Sequence, residues 1–258
     1  MASLTLSPGK TVLIIGGTGS VGRHVVNEAQ AAGYSVRCLV RSHSRTAMLP
    51  QGVDIVVGDL TQAHTLESAV ADVDGIIFTH GSSTSTDSVR DIDYAGVAHV
   101  LRALGTRRIR IALMTAVGVT APGMGYREWK RRSEELLRAS GHEYTIIRPG
   151  WFDYNSADQH RILLRQGDTR RAGSPADGVI AREQIARVLV ASMAAKDATN
   201  VTAELEAEQG AEQENIAAVF SGLEPDEAGS LHGIHDRDIP DMDTEPQRFR
   251  EDLEKLRF

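Results

Sequence analysis

The chain has 258 residues, of which 41% are hydrophobic and 24% charged, and its net charge is −7. That is the balance of a globular protein with one large core, and the wrong sign for a nucleic-acid-binding surface. One cysteine, Cys38, rules out an intrachain disulfide and reads as a small core residue in a reducing compartment. No stretch approaches the ~20 apolar residues of a membrane span, and no leader precedes the first apolar run, so a cytoplasmic protein with no membrane partner is expected.

Strand and helix alternate from the start. Strands are predicted at residues 11–15, 35–40, 54–57, 75–79, 109–114 and 144–148, and helices at 20–32, 65–71, 89–104 and 127–139. The helix at 89–104 rests on Val89, Ile92, Val97, Val100, Leu101 and Leu104, which recur at helical spacing. Such alternation implies an α/β fold with a doubly wound parallel sheet. Beyond residue 150 the pattern loosens. Helices are expected at 158–165 and 182–193, a seventh strand at 201–206, and short helices at 213–220 and 245–256 around a loop at 222–243. The whole of 1–258 is read as one domain. Residues 10–150 form its ligand-binding core, and 151–258 a small substrate-side extension and acidic tail. His235, Asp236, Asp238, Asp241 and Asp243 read as a solvated acidic loop rather than a metal cluster, because no helix or hairpin fixes their spacing.

The most informative segment is Val12–Ile15 followed by Gly16, Gly17, Thr18, Gly19, Ser20, Val21 and Gly22. An apolar, β-branched strand runs into a glycine turn and then a helix. Gly16 allows the tight turn, Gly19 lets backbone approach a pyrophosphate, and Gly22 lets helix and strand pack closely. The helix start points free N–H groups and its positive dipole end at the phosphates. A glycine triplet in this setting is a dinucleotide site.

The second strand ends in Leu39, Val40, Arg41 and Ser42, without the acidic residue that accepts from an NAD ribose. Arg41 instead suits a 2′-phosphate, with Ser42, His43 and Arg45 as further donors. NADP(H) is therefore the expected cofactor. Tyr126 and Lys130 are four apart and share a helix face, where the lysine charge would lower the phenol pKa. Trp151, Phe152, Tyr154 and Asn155 follow directly on the sixth strand and read either as the wall of a substrate pocket or as core packing. Glu128, Arg131, Arg132, Glu134 and Glu135 read as the polar face of a surface helix.

The glycine turn, Val40-Arg41-Ser42, Gly58-Asp59-Leu60, Leu136 to Gly141 and Tyr144 to Gly150 occur in that order. The set resembles the atypical short-chain dehydrogenase/reductases, the NmrA-like and single-domain NAD(P)H-binding reductases, over roughly residues 10–206. The resemblance implies a single Rossmann domain with a nicotinamide dinucleotide at the carboxyl ends of the strands. It also implies that Asp59 accepts from the adenine amino group with Leu60 against the ring. The alternative for Asp59, a cap for the helix after Thr61, stays open. By the same resemblance Thr79, His80 and Gly81 line the cofactor ribose, Lys130 holds the nicotinamide ribose, and Pro149 and Gly150 border the cofactor. Thr115 is then the hydroxyl that hydrogen-bonds the substrate carbonyl, and the resemblance implies that Tyr126 donates a proton to the carbonyl oxygen. The family's helix asparagine has no clear counterpart, Asp93 and Tyr94 standing near that point. The leading expectation is an NADPH-dependent reductase of a small ketone or aldehyde. The alternative is an NADP-binding regulatory or assembly protein without turnover. A nucleotide-sugar epimerase is a weaker third reading.

Overall fold

The computed structural model describes residues 4–82, 85–123 and 125–256, without the side chains of 44 and 45. The donor expected from Arg45 thus lies outside the described residues. In chain order the elements begin with β1 (Thr11–Ile15), α1 (Gly22–Ala31), β2 (Ser35–Val40), β3 (Asp54–Val57), α2 (Glu67–Val70) and β4 (Gly75–Phe78). A short α3 (Thr86–Ser88) passes through a π-helical segment, Val89–Tyr94, into α4 (Ala95–Leu104). Then come β5 (Arg110–Met114), α5 (Gly125–Ala139), β6 (Glu143–Pro149), β7 (Trp151–Phe152), β8 (Arg161–Arg165), β9 (Val179–Ile180), α6 (Arg182–Ala194), β10 (Val201–Glu208) and α7 (Gln247–Leu256).

The main sheet has eight strands in the order β3-β2-β1-β4-β5-β6-β10-β8, and β7 pairs with β9 in a second, two-stranded sheet. All main-sheet pairs are parallel except β10 with β8, in which Leu205 faces Leu164. This is a doubly wound α/β fold with one strand more than expected. Both faces of the sheet are covered, so β1 is apolar from Val12 to Ile15. Leu13 and Ile15 join Ile76, Phe78, Ile111 and Leu113 on the face beneath α4, α5 and α7. Val12 and Ile14 join Ile77, Ala112 and Ile147 on the face beneath α1 and α6, where Cys38 is also buried.

Three expectations need correction. Residues 158–165 are not a helix: β8 forms there and Ile162 is buried. Arg161, Leu163 and Arg165 alternate with Ile162 and Leu164, and five residues cannot separate that period from a helical one. Residues 213–220 form only a 3₁₀ turn, Ile216–Phe220. The charged face of α5 is not a surface. Arg131, Arg132, Glu134 and Glu135 are all buried, and only Glu128 of that set is partly open.

The tail covers that face. Phe249, Leu253 and Leu256 of α7 enter the core, while Glu245 accepts from Arg132 at 2.6 Å and pairs with Arg131. Asp226 accepts from Arg138 at 3.1 Å. Within the expected acidic loop, Asp236 is buried and forms a two-pronged pair with Arg148 at 2.7 Å. Asp238 pairs with Arg171 at 2.6 Å, and His235 lies 3.1 Å from Glu224. Among the described residues no group of His, Cys, Asp and Glu is arranged to hold a metal, and no helix is long and apolar enough to cross a membrane.

Candidate functional site

Strand order reverses at β1, which has β2 on one side and β4 on the other. Crevices at the carboxyl ends of strands form at such a point. A cavity of about 610 Å³ opens there, walled by the turn after β1, the ends of β2 to β5, Lys130 of α5 and Phe152 of β7. Gly16 has φ +91°, and a Cβ on it would lie 2.6 Å from His80 N. A Cβ on Gly22 would lie 2.0 Å from Gly16 O, so α1 can start against the turn only at a glycine. Thr18, Gly19, Ser20 and Val21 line the cavity between them, and Gly19 N–H donates to Gly16 O at 2.8 Å. Gly22 does not line the cavity; its role is packing.

At one end stand Arg41, Asp59 and Leu60. Asp59 accepts from Thr61 N at 2.9 Å and Thr61 Oγ1 at 2.8 Å, so it caps the following turn while also forming part of the wall. The Thr61 N–H, and then the Arg41 charge, hold its carboxyl below the usual range. Leu60 O lies 2.7 Å from His99 Nδ1. Ser42 precedes the 3₁₀ turn His43–Met48 and is not in the wall.

At the other end the π-helical segment turns Asp93 inward beside the cavity. Asp93 is buried, ion-paired with Lys130, and accepts from Ser82 N at 2.9 Å and Ser82 Oγ at 2.7 Å. Burial pushes the Asp93 carboxyl up, but the Lys130 ammonium and the His80 ring outweigh it and the group stays below the ordinary range. His80 is pushed down by burial, with Asp93 opposing; its Nε2 lies 3.3 Å from Asp93 O. Its buried Nδ1 has no hydrogen-bond partner. Thr79 and Gly81 complete this wall, Thr79 Oγ1 donating to Ile15 O at 3.0 Å.

Thr115 lines the cavity, but its hydroxyl donates to Glu134 Oε1 at 2.6 Å. Glu134 has no exposed surface. Burial pushes it up, yet Arg148 and Arg138 hold it below the usual carboxylate range, so it is an acceptor only. With its one proton committed, Thr115 can only accept from anything in the cavity. Tyr126 does not line the cavity. It is half-buried against the core, and its hydroxyl accepts from Arg127 Nε at 3.1 Å.

Past β6 the expected residues separate. Pro149 and Gly150 lie outside the cavity wall. A Cβ on Gly150 would meet Gly178 O at 2.4 Å, so this glycine serves the crossing of two chain segments. Phe152 is in the wall, whereas Trp151, Tyr154 and Asn155 are not. Tyr154 is 61% exposed and meets Trp151 edge-on with ring centres 6.0 Å apart. Asn155 Nδ2 donates to Gln159 O at 2.8 Å.

Sequence reasoning did not assign roles to Ser82, Asp93 or Glu134. Asp93 had a signal, since it stands near the place of the family's helix asparagine. Glu134 had none, because Thr115 and Arg148 lie on other elements and its one helical partner, Arg138, reads as an ordinary surface pair. The residues fit a nicotinamide dinucleotide: the glycine cradle leaves no room for side chains where phosphates would lie, and the His80 Nδ1 is a buried polar atom without a protein partner.

Known proteins agree. A sequence profile of the family described as NAD(P)H-binding matches residues 16–196. The photosystem II assembly factor Ycf39 of Synechocystis is 31% identical over 158 residues, 59% of this chain and 48% of that protein. The chain thus spans about half the length of that relative. An uncharacterized sugar epimerase, YhfK of Bacillus subtilis, is 28% identical over 201 residues, 73% of this chain and 90% of that one. The solved oxidoreductase ylbE of Lactococcus lactis superposes with a TM-score of 0.66 at 17% identity, covering 83% of this chain and 96% of its own. With its doubly wound sheet, its glycine cradle and a matching profile over most of its length, the chain belongs to the NAD(P)H-binding family of atypical short-chain dehydrogenase/reductase-like Rossmann proteins.

Proposed function

We propose that the chain binds NADP(H) in this cavity and reduces a small ketone or aldehyde there. The observation that carries the reading is the pair of Lys130, which lines the cavity, with the buried Asp93 behind it. A half-buried ammonium, paired with a buried carboxylate beside a cofactor cavity, is an arrangement that a purely structural lysine does not need. Bound there, the dinucleotide supplies hydride to the carbonyl carbon. Lys130 then holds the carbonyl oxygen and supplies positive charge and a proton as negative charge develops on it. Asp93 holds the Lys130 ammonium in place, and Ser82 fixes Asp93 in turn. Thr115 accepts, so it is suited to a donor such as a carboxamide N–H or the alcohol product rather than to the carbonyl itself. Tyr126, the proton donor expected from spacing, is assigned to the rim. Arg41 favours NADP(H) through a 2′-phosphate.

The test is NADPH oxidation against a panel of aldehydes and ketones, alongside fluorescence titration of NADPH and NADH. Lys130→Met is expected to lower turnover by ~10²–10⁴-fold, and Tyr126→Phe by no more than about threefold. Arg41→Ala is expected to weaken NADPH by about tenfold, allowing for its exposure, and to leave NADH unchanged. Loss of turnover in Tyr126→Phe with an active Lys130→Met overturns the assignment. Tight NADPH binding with no turnover across the panel favours a second reading, an NADP-binding regulatory or assembly protein. That reading draws support from the position of the Tyr126 hydroxyl outside the cavity and from the likeness to Ycf39.

A further inference from the structure

α6 starts at Arg182, beside the glycine turn, and the guanidinium of this residue bridges two walls of the main cavity. Its Nε donates to Ser20 Oγ at 3.2 Å, and its Cζ stands 5.2 Å from the centre of the Phe152 ring. Ser20 belongs to the turn before α1 and Phe152 to the segment after β6, and both line the cavity. Asp153 ion-pairs with the guanidinium and accepts the Arg182 backbone N–H at 3.0 Å. A second hollow of about 380 Å³, bordered by Ser20, Arg23, His24 and Arg182, adjoins the first at Ser20.

We propose that Arg182 is a cofactor-binding residue that closes over the diphosphate of the bound dinucleotide, exchanging its hydrogen bond to Ser20 for a phosphate oxygen. The proposal rests on the reading of the cavity as a nicotinamide dinucleotide site. Stacking on Phe152 holds the planar fork in one orientation, which suits an anion that accepts two hydrogen bonds. Ser20 accepts from Arg182 and so has its own proton free to point at a phosphate. Asp153 balances the arginine while no anion is present. Arg41 and Asp59 stand at the far end of the cavity with β2 and β3, so Arg182 and Arg41 would address different phosphates of one ligand. Through Arg182 the segment after β6 is coupled to cofactor binding although most of it lies outside the cavity wall.

Calorimetric titration of the full chain with NADPH and with adenosine 2′-monophosphate, which lacks the diphosphate, separates the outcomes. Arg182→Gln is expected to raise the NADPH Kd about tenfold and to leave the nucleotide monophosphate Kd unchanged. Arg182→Lys keeps the charge without the planar fork and is expected to fall between. It carries the test if the glutamine variant does not fold. Equal NADPH affinity in wild type and variant overturns the proposal, and so does a parallel weakening of both ligands. Wild-type protein that binds neither ligand overturns the dinucleotide reading itself, and this proposal with it.

Discussion

At the scale of single residues, buried titratable groups set how the protein answers to pH. His142 is buried, and its Nδ1 accepts the N–H of Ile109 at 3.3 Å, so the folded state requires a neutral ring. Burial, and then the charge of Arg108, push its pKa down to about 4. The unfolded chain takes up that proton near pH 6.5. The stabilising effect of a neutral His142 is therefore whole above pH ~6.5 and is lost as pH falls toward about 4, to a total on the order of 3 kcal/mol. Urea midpoints measured across that interval should fall less steeply for His142→Gln than for wild type; parallel curves would contradict this. Thr115 makes a related point about protons. Spacing and strand position identify it as a site hydroxyl, but whether it donates or accepts depends on Glu134, nineteen residues on and across the sheet.

At the scale of elements, α7 contributes more to the core than its position near the tail suggests. Phe249 has no exposed surface and meets the Tyr94 ring edge-on at 6.4 Å, with Leu253 and Leu256 behind it. Phe249→Ala should cost ~3–5 kcal/mol in chemical denaturation, and a loss under about 1 kcal/mol would show that α7 is only loosely docked. Elements with long, one-sided apolar patterns were legible in the sequence: β1 to β6, α1 and α6 lie within a few residues of expectation. The glycine cradle was legible because its chemistry is local. β8 was not, because five residues with two arginines fit either period. The π-helical segment was not, because Val89, Ile92 and Val97 satisfy an ordinary helix, yet the extra residue per turn helps bury both Asp93 and Tyr94. The burial of the α5 charges was illegible for another reason. A run of Arg and Glu reads as solvated until the carboxylates of a distant segment are known to cover it.

At the scale of the whole molecule, the interior holds an ionic layer. Arg148 is fully buried among Glu134, Asp236 and Glu204, and Arg138 between Glu134 and Asp226. Glu245 joins Arg131 to Arg132. Removing one member leaves a charge in apolar surroundings. Glu245→Gln should therefore cost ~3–5 kcal/mol, and molar salt should change that figure little. Lys10→Gln, which breaks the exposed pair with Asp74, should cost under about 1 kcal/mol. Thermal unfolding of the two variants at low and high salt checks the contrast; equal losses would mean that the layer is wetter than its burial implies.

That layer has a consequence for how the protein is made. Arg131, Arg132, Arg138 and Arg148 precede their tail carboxylates by 114, 113, 88 and 88 residues. On the ribosome every strand of the sheet has been synthesised by Glu208, while four guanidiniums still lack their second set of partners, Asp226, Asp236 and Glu245. Until then those arginines have only the α5 carboxylates Glu128, Glu134 and Glu135, and Glu204 of β10, to share between them. The segment from Asp226 to Glu245 therefore completes the ionic layer after the strands of the sheet have been made.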